Sequence, residues 1–335
     1  PEDKGPYNYD AAPGSVAATG KLLNSKTRWG GLMRNIDQPD FETANIEFIE
    51  FWVQDPFINY STRYPNAANS SGGQLYFDLG NVSEDILKDG KRFYENGLPT
   101  PNAPSPIDTS NWGRVPANPV QVTNAFSNDP NDRAYQDIGF DGMDDTAEVN
   151  KRKAYLSQLQ TVVSATTYQQ ALLDPSGDNY HYYRGDDFDQ EGLGITGRYK
   201  KFNNPEGNSP VASTSSTYSS AATLYPDAED LNRDNTLNQT EEYFQYIVDL
   251  KPKTAPEMSI DSNFIVDKKE VAVNLVDGTS RLETWYQFRI PISQYERKIG
   301  NIPDFKSIRF MRMFMTGFSD SIVLRFAELQ LTRNV

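Results

Sequence analysis

Residues 45–53 read NIEFIEFWV, with apolar side chains at both even and odd positions. A strand covered on both faces needs that pattern, whereas a half-solvated strand alternates strictly. Working outward, the turn-forming residues 69–73 lead into QLYFDLG. There Leu75, Phe77 and Leu79 share one side, as expected of a half-buried strand. The same period of two returns late in the chain. Phe244, Tyr246, Val248 and Leu250 alternate with polar partners, as do Val271, Val273 and Leu275, and then Tyr286, Phe288, Ile290 and Ile292. Residues 308–318 and 321–331 close the series around a turn at 317–320. In the last of them the apolar parity changes near Ala327, which predicts a β-bulge.

Between these end blocks the β pattern stops. Residues 96–119 carry six prolines and read as irregular loop. Residues 146–170 predict a helix, with Val149, Leu156, Leu159 and Val163 as its apolar stripe and Asp145 with Glu148 as its N-terminal cap. Residues 203–220, rich in Asn, Pro, Gly, Ser and Thr, read as loop. The expected architecture is all-β: a jelly-roll or galactose-binding-like β-sandwich with a long, partly helical and irregular insertion. Its organisation reads as an extended N-terminal arm over 1–40 and a sandwich over 41–335, interrupted at about 83–227.

Composition narrows the function. Of the 335 residues, 46 are Asp or Glu against 32 Lys or Arg, a formal charge of −14. That balance disfavours nucleic acid, whose binding runs on counterion release by basic side chains. No apolar run reaches the roughly 18 residues of a membrane-spanning helix, so direct membrane insertion is not expected. The absence of cysteine excludes disulfides and thiolate chemistry, and a single histidine, His181, excludes histidine-rich metal sites. Nothing nominates a nucleophile, and no phosphate-binding glycine loop is present, so no enzyme is expected.

Residues 230–241, DLNRDNTLNQTE, carry the sharpest local signal. Asp230, Asn232, Asp234, Thr236, Asn238 and Glu241 occupy positions 1, 3, 5, 7, 9 and 12 of a calcium loop, which wraps hard oxygen ligands around one cation. Asn235 stands at the sixth position, where a left-handed backbone is needed. The flanking sequence reads as strand, so this would be a structural Ca2+ loop outside a helix–loop–helix hand. The competing reading is an Asx-rich turn that caps a strand. Residues 137–148, DIGFDGMDDTAE, form a weaker match that places Asp137, Asp141, Asp145 and Glu148 at positions 1, 5, 9 and 12. Met143 can offer only its carbonyl there, and a capped acidic helix start is the competing reading. The acidic run Asp186, Asp187, Asp189 and Glu191 reads as a solvated loop. Trp52 and Trp285 fall in strands and are expected in the core; Trp29 and Trp112 fall in loops and could stack on sugars.

Several blocks resemble the SprA/Sov family: ANIEFIEFWVQDPF (44–57), GGQLYFDLGNVSEDIL (72–87), DGKRFYENGLP (89–99), YQDIGFDGMDD (135–145), NNPEGNSP (203–210), EDLNRDNTLNQTEEYFQY (229–246) and the closing run 302–331. They occur in order from about Phe41 onward. The resemblance implies a soluble fragment of a very large outer-membrane β-barrel of the type 9 secretion system, which exports folded cargo and supports gliding motility. It also implies an outer-membrane location, with the cell surface favoured over the periplasm. The implied partners are the rest of the barrel, other secretion components and cargo. No catalytic residue carries over. A calcium-dependent carbohydrate-binding module, with glycan as its partner, is the alternative, and a glycosidase using paired carboxylates the third reading.

Overall fold

The computed structural model describes residues 14–57, 71–95, 97–117, 129–136, 138–139, 141–179, 186–195, 197–198, 228–274, 278–320 and 322–333. Its strands are β1 (Trp29–Asn35), β2 (Ile46–Gln54), β3 (Gly73–Asn81), β4 (Ile107–Thr109), β5 (Arg114–Pro116), β6 (Glu242–Leu250), β7 (Ile265–Asn274), β8 (Ser280–Pro291), β9 (Arg297–Ile299), β10 (Phe310–Thr316) and β11 (Phe326–Arg333). The helices are α1 (Pro130–Arg133), α2 (Asp145–Lys151), α3 (Lys153–Leu159), α4 (Ala165–Leu173) and α5 (Asp186–Gln190). Two compact units divide the chain. One takes Asn24–Ser83 and Asn238–Val335; the other takes Glu2–Leu23 and Glu84–Leu237.

The first unit is an antiparallel two-sheet sandwich. One sheet runs β1-β10-β3-β6-β9 and the other β11-β2-β8-β7. Strand alternation sets its core: Leu75, Phe77 and Leu79 of β3 lie against Phe244, Tyr246 and Val248 of β6 in a continuous buried cluster. From the opposite sheet Ile49, Phe51 and Val53 of β2, with Tyr286, Phe288 and Ile290 of β8, complete the same cluster. The Phe51 ring lies 5.1 Å from Phe77 across the two sheets and 5.2 Å from Phe288, stacked, within its own. The Tyr246 hydroxyl donates to the Ile292 carbonyl at 2.6 Å, so the one polar atom of that buried ring is satisfied.

Three features of the sandwich differ from the sequence reading. Residues 29–35, expected within an unstructured arm, form an edge strand paired along its whole length with β10. The Val271 and Val273 stripe does not enter the core, because the far half of β7 runs along the sheet edge, where Val271 is exposed; Leu275 lies outside the described residues. Trp52 and Trp285 are only half-buried: their β2 and β8 neighbours Phe51, Val53, Tyr286 and Phe288 take the inward parity. The Lys269 ammonium sits 4.7 Å from the Trp52 ring centre. The bulge expected near Ala327 is present, as a register shift between Ala327 and Gln330 with Glu328 at φ 55°.

In the second unit α2 to α4 replace the single helix expected over 146–170. The run Thr161, Val162, Val163 is β-branched and stiff at χ1, which disfavours helix. Ser164 then starts a new helix by accepting the Thr167 N–H at 3.2 Å. The expected stripe still packs together: Leu156 and Leu159 are buried with Val16, Leu22 and Ala171, and Val149 and Val163 lie against them. The Pro-rich segment expected as irregular holds the short hairpin β4–β5. Residues 199–227, which include the loop expected at 203–220, lie outside the described residues.

The cap of α2 is Asp144, one residue before the expected Asp145; its Oδ1 accepts the Ala147 N–H at 2.8 Å. Asp144→Ala therefore costs about 1 kcal/mol, read as a lower urea midpoint with an unchanged m-value.

Candidate functional site

The residues of the main predicted loop divide between the two units: 230–237 belong to the second and 238–241 to the first. Within the second unit the loop folds as interlocked turns. Asp230 Oδ1 accepts the Asp234 N–H at 3.1 Å, and its Oδ2 accepts the Asn235 N–H at 2.9 Å. Asn232 and Asp234 likewise accept from the N–H groups two residues on, and the Thr236 hydroxyl donates to Asp234 Oδ1. Asn235 has φ 69°, the left-handed backbone its position called for. The loop is held from outside by Glu84, whose Oε1 accepts the N–H groups of Leu231 and Asn232, and by the Arg92 guanidinium 3.6 Å from Asp230. In the first unit the Asn238 side-chain amide donates to the Val82 carbonyl at 2.7 Å. Both Glu241 carboxylate oxygens receive hydrogen bonds from Arg312, at 3.0 and 3.1 Å.

The weaker predicted loop lies in more buried surroundings. Asp137 lies outside the described residues, as does His181. The turn that carries Asp141 is clamped onto β5 by two glycines. A Cβ on Gly113 would lie 2.0 Å from the Asp141 carbonyl oxygen, and one on Gly142, at φ 67°, would lie 2.4 Å from the Arg114 carbonyl. That closeness lets the Arg114 N–H reach the Asp141 carbonyl at 2.8 Å. Asp144 then caps α2, whose first turn carries Glu148. After α4, Asp174 Oδ1 accepts the N–H groups of Gly177 and Asp178 and folds residues 174–178 back.

These turns bring three buried carboxylates together, those of Asp141, Glu148 and Asp178, which are 2%, 0% and 2% exposed. One oxygen from each lies within 4.8 Å of the others. Asp141 Oδ2 accepts from the Ser176 hydroxyl at 2.9 Å and from Arg152 Nη2 at 3.2 Å, while its Oδ1 accepts the Met143 N–H at 3.0 Å. The Ser176 N–H donates to Glu148 Oε2 at 3.0 Å, and the Asp141 N–H to Asp178 Oδ2 at 2.9 Å. Burial first, then the neighbouring like charges, pushes Glu148 and Asp178 above the usual carboxylate range. Burial raises Asp141 also, against the pull of Ser176 and Arg152.

Asp145 joins a second group with Glu148 and Asp174, at a half-buried rim. Met143 contributes its backbone N–H to the turn and is itself buried. Sequence reasoning thus found Asp141, Asp145 and Glu148 but missed Asp178, Asp174, Ser176 and Arg152. A twelve-residue spacing rule cannot reach across α3 and α4 to residues 174–178, and it does not look for a cation such as Arg152 at the end of α2.

Asp85, Asp89 and Glu229 make a third acidic group. Glu229 Oε1 accepts the Leu87 N–H at 2.8 Å. Burial, and behind it the charges of Asp85 and Asp89, pushes Glu229 up to about 8. A carboxyl raised in the folded state contributes stability that is fully present below its ordinary value of 4.5 and is lost as pH rises through about 8. Glu229→Gln should therefore leave stability unchanged near pH 4 and raise it relative to the parent above pH 8, by on the order of a few kcal/mol. Urea titrations at the two pH values read the difference directly.

The acidic run at 186–191 forms α5 around a buried Phe188, with Asp189 paired to Arg198. Trp112 packs against Leu87 and Tyr94, whereas Trp29 is 71% exposed on β1 and meets Phe314 edge-on at 6.5 Å. Among the described residues no helix is long and apolar enough to cross a membrane.

Fold and site together define a β-sandwich protein with an acidic, helix-bearing second unit. The chain belongs to the SprA_N family of motility related/secretion proteins, whose model matches residues 154–335, more than half of the sequence. That match spans β6 to β11 and includes Asp174 and Asp178 of the acidic site. No curated protein matches the chain.

Proposed function

We propose that this chain is a non-enzymatic module of a SprA-like outer-membrane translocon, acting in type 9 protein secretion and gliding motility, with the cell surface as its favoured side. Membership of a motility and secretion family carries this reading, since the match runs through β6 to β11, which contribute strands to both sheets of the sandwich. The partners it implies are the remaining barrel, other secretion components and cargo.

The test is in-frame excision of this chain from the full-length protein in its own bacterium. The expected result is loss of cargo from the medium and of spreading on agar, while surface labelling still finds the remaining barrel in the outer membrane. Normal secretion and spreading after excision would overturn the reading.

A carbohydrate-binding role keeps one supporting observation, the exposed Trp29. Saturable binding on a glycan array that Trp29→Ala abolishes would favour it over a purely structural part.

A further inference from the structure

The three-carboxylate cluster of the second unit poses a problem that protein groups alone leave open. Asp141, Glu148 and Asp178 would bring three negative charges into a buried site. The Arg152 guanidinium, on Asp141 Oδ2 at 3.2 Å, supplies one positive charge in return. Burying uncompensated charge is expensive, so the remaining two charges must be met either by protons or by a bound cation. Two carboxylate oxygens, Glu148 Oε1 and Asp178 Oδ1, are buried and receive no hydrogen bond from any N–H or hydroxyl donor. The two carboxyl groups lie within hydrogen-bonding reach of each other, a contact between two acceptors that needs a proton or a cation. Their sister oxygens are fixed, Glu148 Oε2 by the Ser176 N–H and Asp178 Oδ2 by the Asp141 N–H, so the spare oxygens are set in place.

We infer that Asp141, Glu148 and Asp178 form a divalent-cation site, with calcium as its ion, in which Glu148 Oε1 and Asp178 Oδ1 are principal ligands. A single doubly charged ion neutralises the surplus. Calcium's ligand oxygens, held at 2.3–2.6 Å from the metal, lie within about 5 Å of one another, which suits oxygens within 4.8 Å. Magnesium demands shorter bonds and keeps much of its water, which a site this buried does not favour. The site differs from the twelve-residue loop read in the sequence: its third carboxylate comes from beyond α4. An ion there would tie the 141–143 turn, α2 and the 174–178 turn together. By contrast, in the Asp85, Asp89 and Glu229 group the carboxylates of Asp85 and Asp89 are half-exposed and already accept backbone N–H groups of residues 89–91.

The inference does not depend on the secretion reading and survives its failure, because its readout is ion uptake by the purified chain. The full 335-residue chain, stripped with chelator, is titrated with CaCl2 and separately with MgCl2, following bound ion by calorimetry and the melting temperature. Expected are calcium uptake at the site and a Tm at saturating calcium at least about 5 °C above that in chelator, with a much smaller response to magnesium. Asp178→Asn and Glu148→Gln each remove a like charge, so both should fold in chelator and melt no lower than the parent there, yet lose the calcium-dependent rise. Asp234→Asn, in the other loop, should keep it. No uptake at millimolar calcium, or an undiminished rise in both Asp178→Asn and Glu148→Gln, would overturn the assignment and leave the cluster neutralised by protons. A magnesium response equal to that of calcium would overturn the choice of ion.

Discussion

Arg312→Ala should lower the stability of the sandwich by about 3–5 kcal/mol, one of the two largest effects expected of a single substitution here. The reason lies on the face of the first sheet turned away from the Phe51 core. Asp78 sits in the centre of β3, opposite Arg312 of β10 on one side and Gln245 of β6 on the other. Its carboxylate is completely buried, with Arg312 Nε at 2.8 Å and the Gln245 amide at 2.9 Å. Burial raises the Asp78 carboxyl, and Gln245 and Arg312 pull it back toward the charged form. Removing the guanidinium leaves a buried carboxylate with one neutral donor; it also takes both Arg312 bonds from Glu241, which keeps the Ser83 N–H, and uncovers the Tyr243 ring.

Two further measurements separate that cause from lost packing. Asp78→Asn placed in the Arg312→Ala background should restore most of the loss, because it deletes the stranded charge. The Arg312→Ala deficit should also shrink as pH falls toward 4, since a raised carboxyl destabilises only once it must ionise. A deficit independent of both would assign the effect to side-chain packing.

Phe51→Ala should cost a comparable 3–5 kcal/mol. This ring is fully buried and serves both sheets: it stacks on Phe288, tilts onto Phe77 of the facing sheet and meets Phe326 of β11 at 5.8 Å. Truncation removes the burial term and, beyond it, aromatic pairs worth about 0.5–1.5 kcal/mol each. Little can refill the space, since Ile49, Val53, Tyr286 and Ile290 are locked by the registers of β2 and β8. The Tm should drop by about 10 °C, while Leu282→Ala, at an exposed position of β8, should move it by less than about 1 °C. Equal effects at the two positions would mean that the sheets are not joined through Phe51.

The parts of the fold that were legible in the sequence are those where side-chain period and burial coincide. Residues 73–81, 242–250 and 280–291 announce themselves because each must send alternate side chains into one core. The parity change at Ala327 showed the bulge for the same reason. Residues 46–54 announce a strand but not its one-sided burial: Ile49, Phe51 and Val53 are buried, whereas Phe48 and Trp52 on the other face are only half-covered. β1 was hidden because Gly30 and Gly31 interrupt any alternation, and its strand state comes from pairing with β10. The break between α3 and α4 depended on a β-branched run and a serine cap that a hydrophobic stripe does not register. The acidic site was half-legible. Asp141 and Glu148 share a turn and a helix start, so spacing could find them. Asp178 reaches it only through the folded path of α3 and α4, whereas Arg152 stands one helical turn after Glu148 and was missed because a ligand-spacing rule looks only for oxygens.

The two sheets end in four outer strands, and they are not equally safe against adding a foreign strand. β9 has three residues, β11 is broken by register shifts, and β7 carries Lys268, Lys269 and Glu270. β1 offers seven residues with two adjacent glycines and an uncovered Trp29 and Leu32. Unshielded rims of that kind template aggregation. Clumping of the purified chain should therefore begin at β1, and a lysine in place of Leu32 is the substitution that would keep concentrated samples clear.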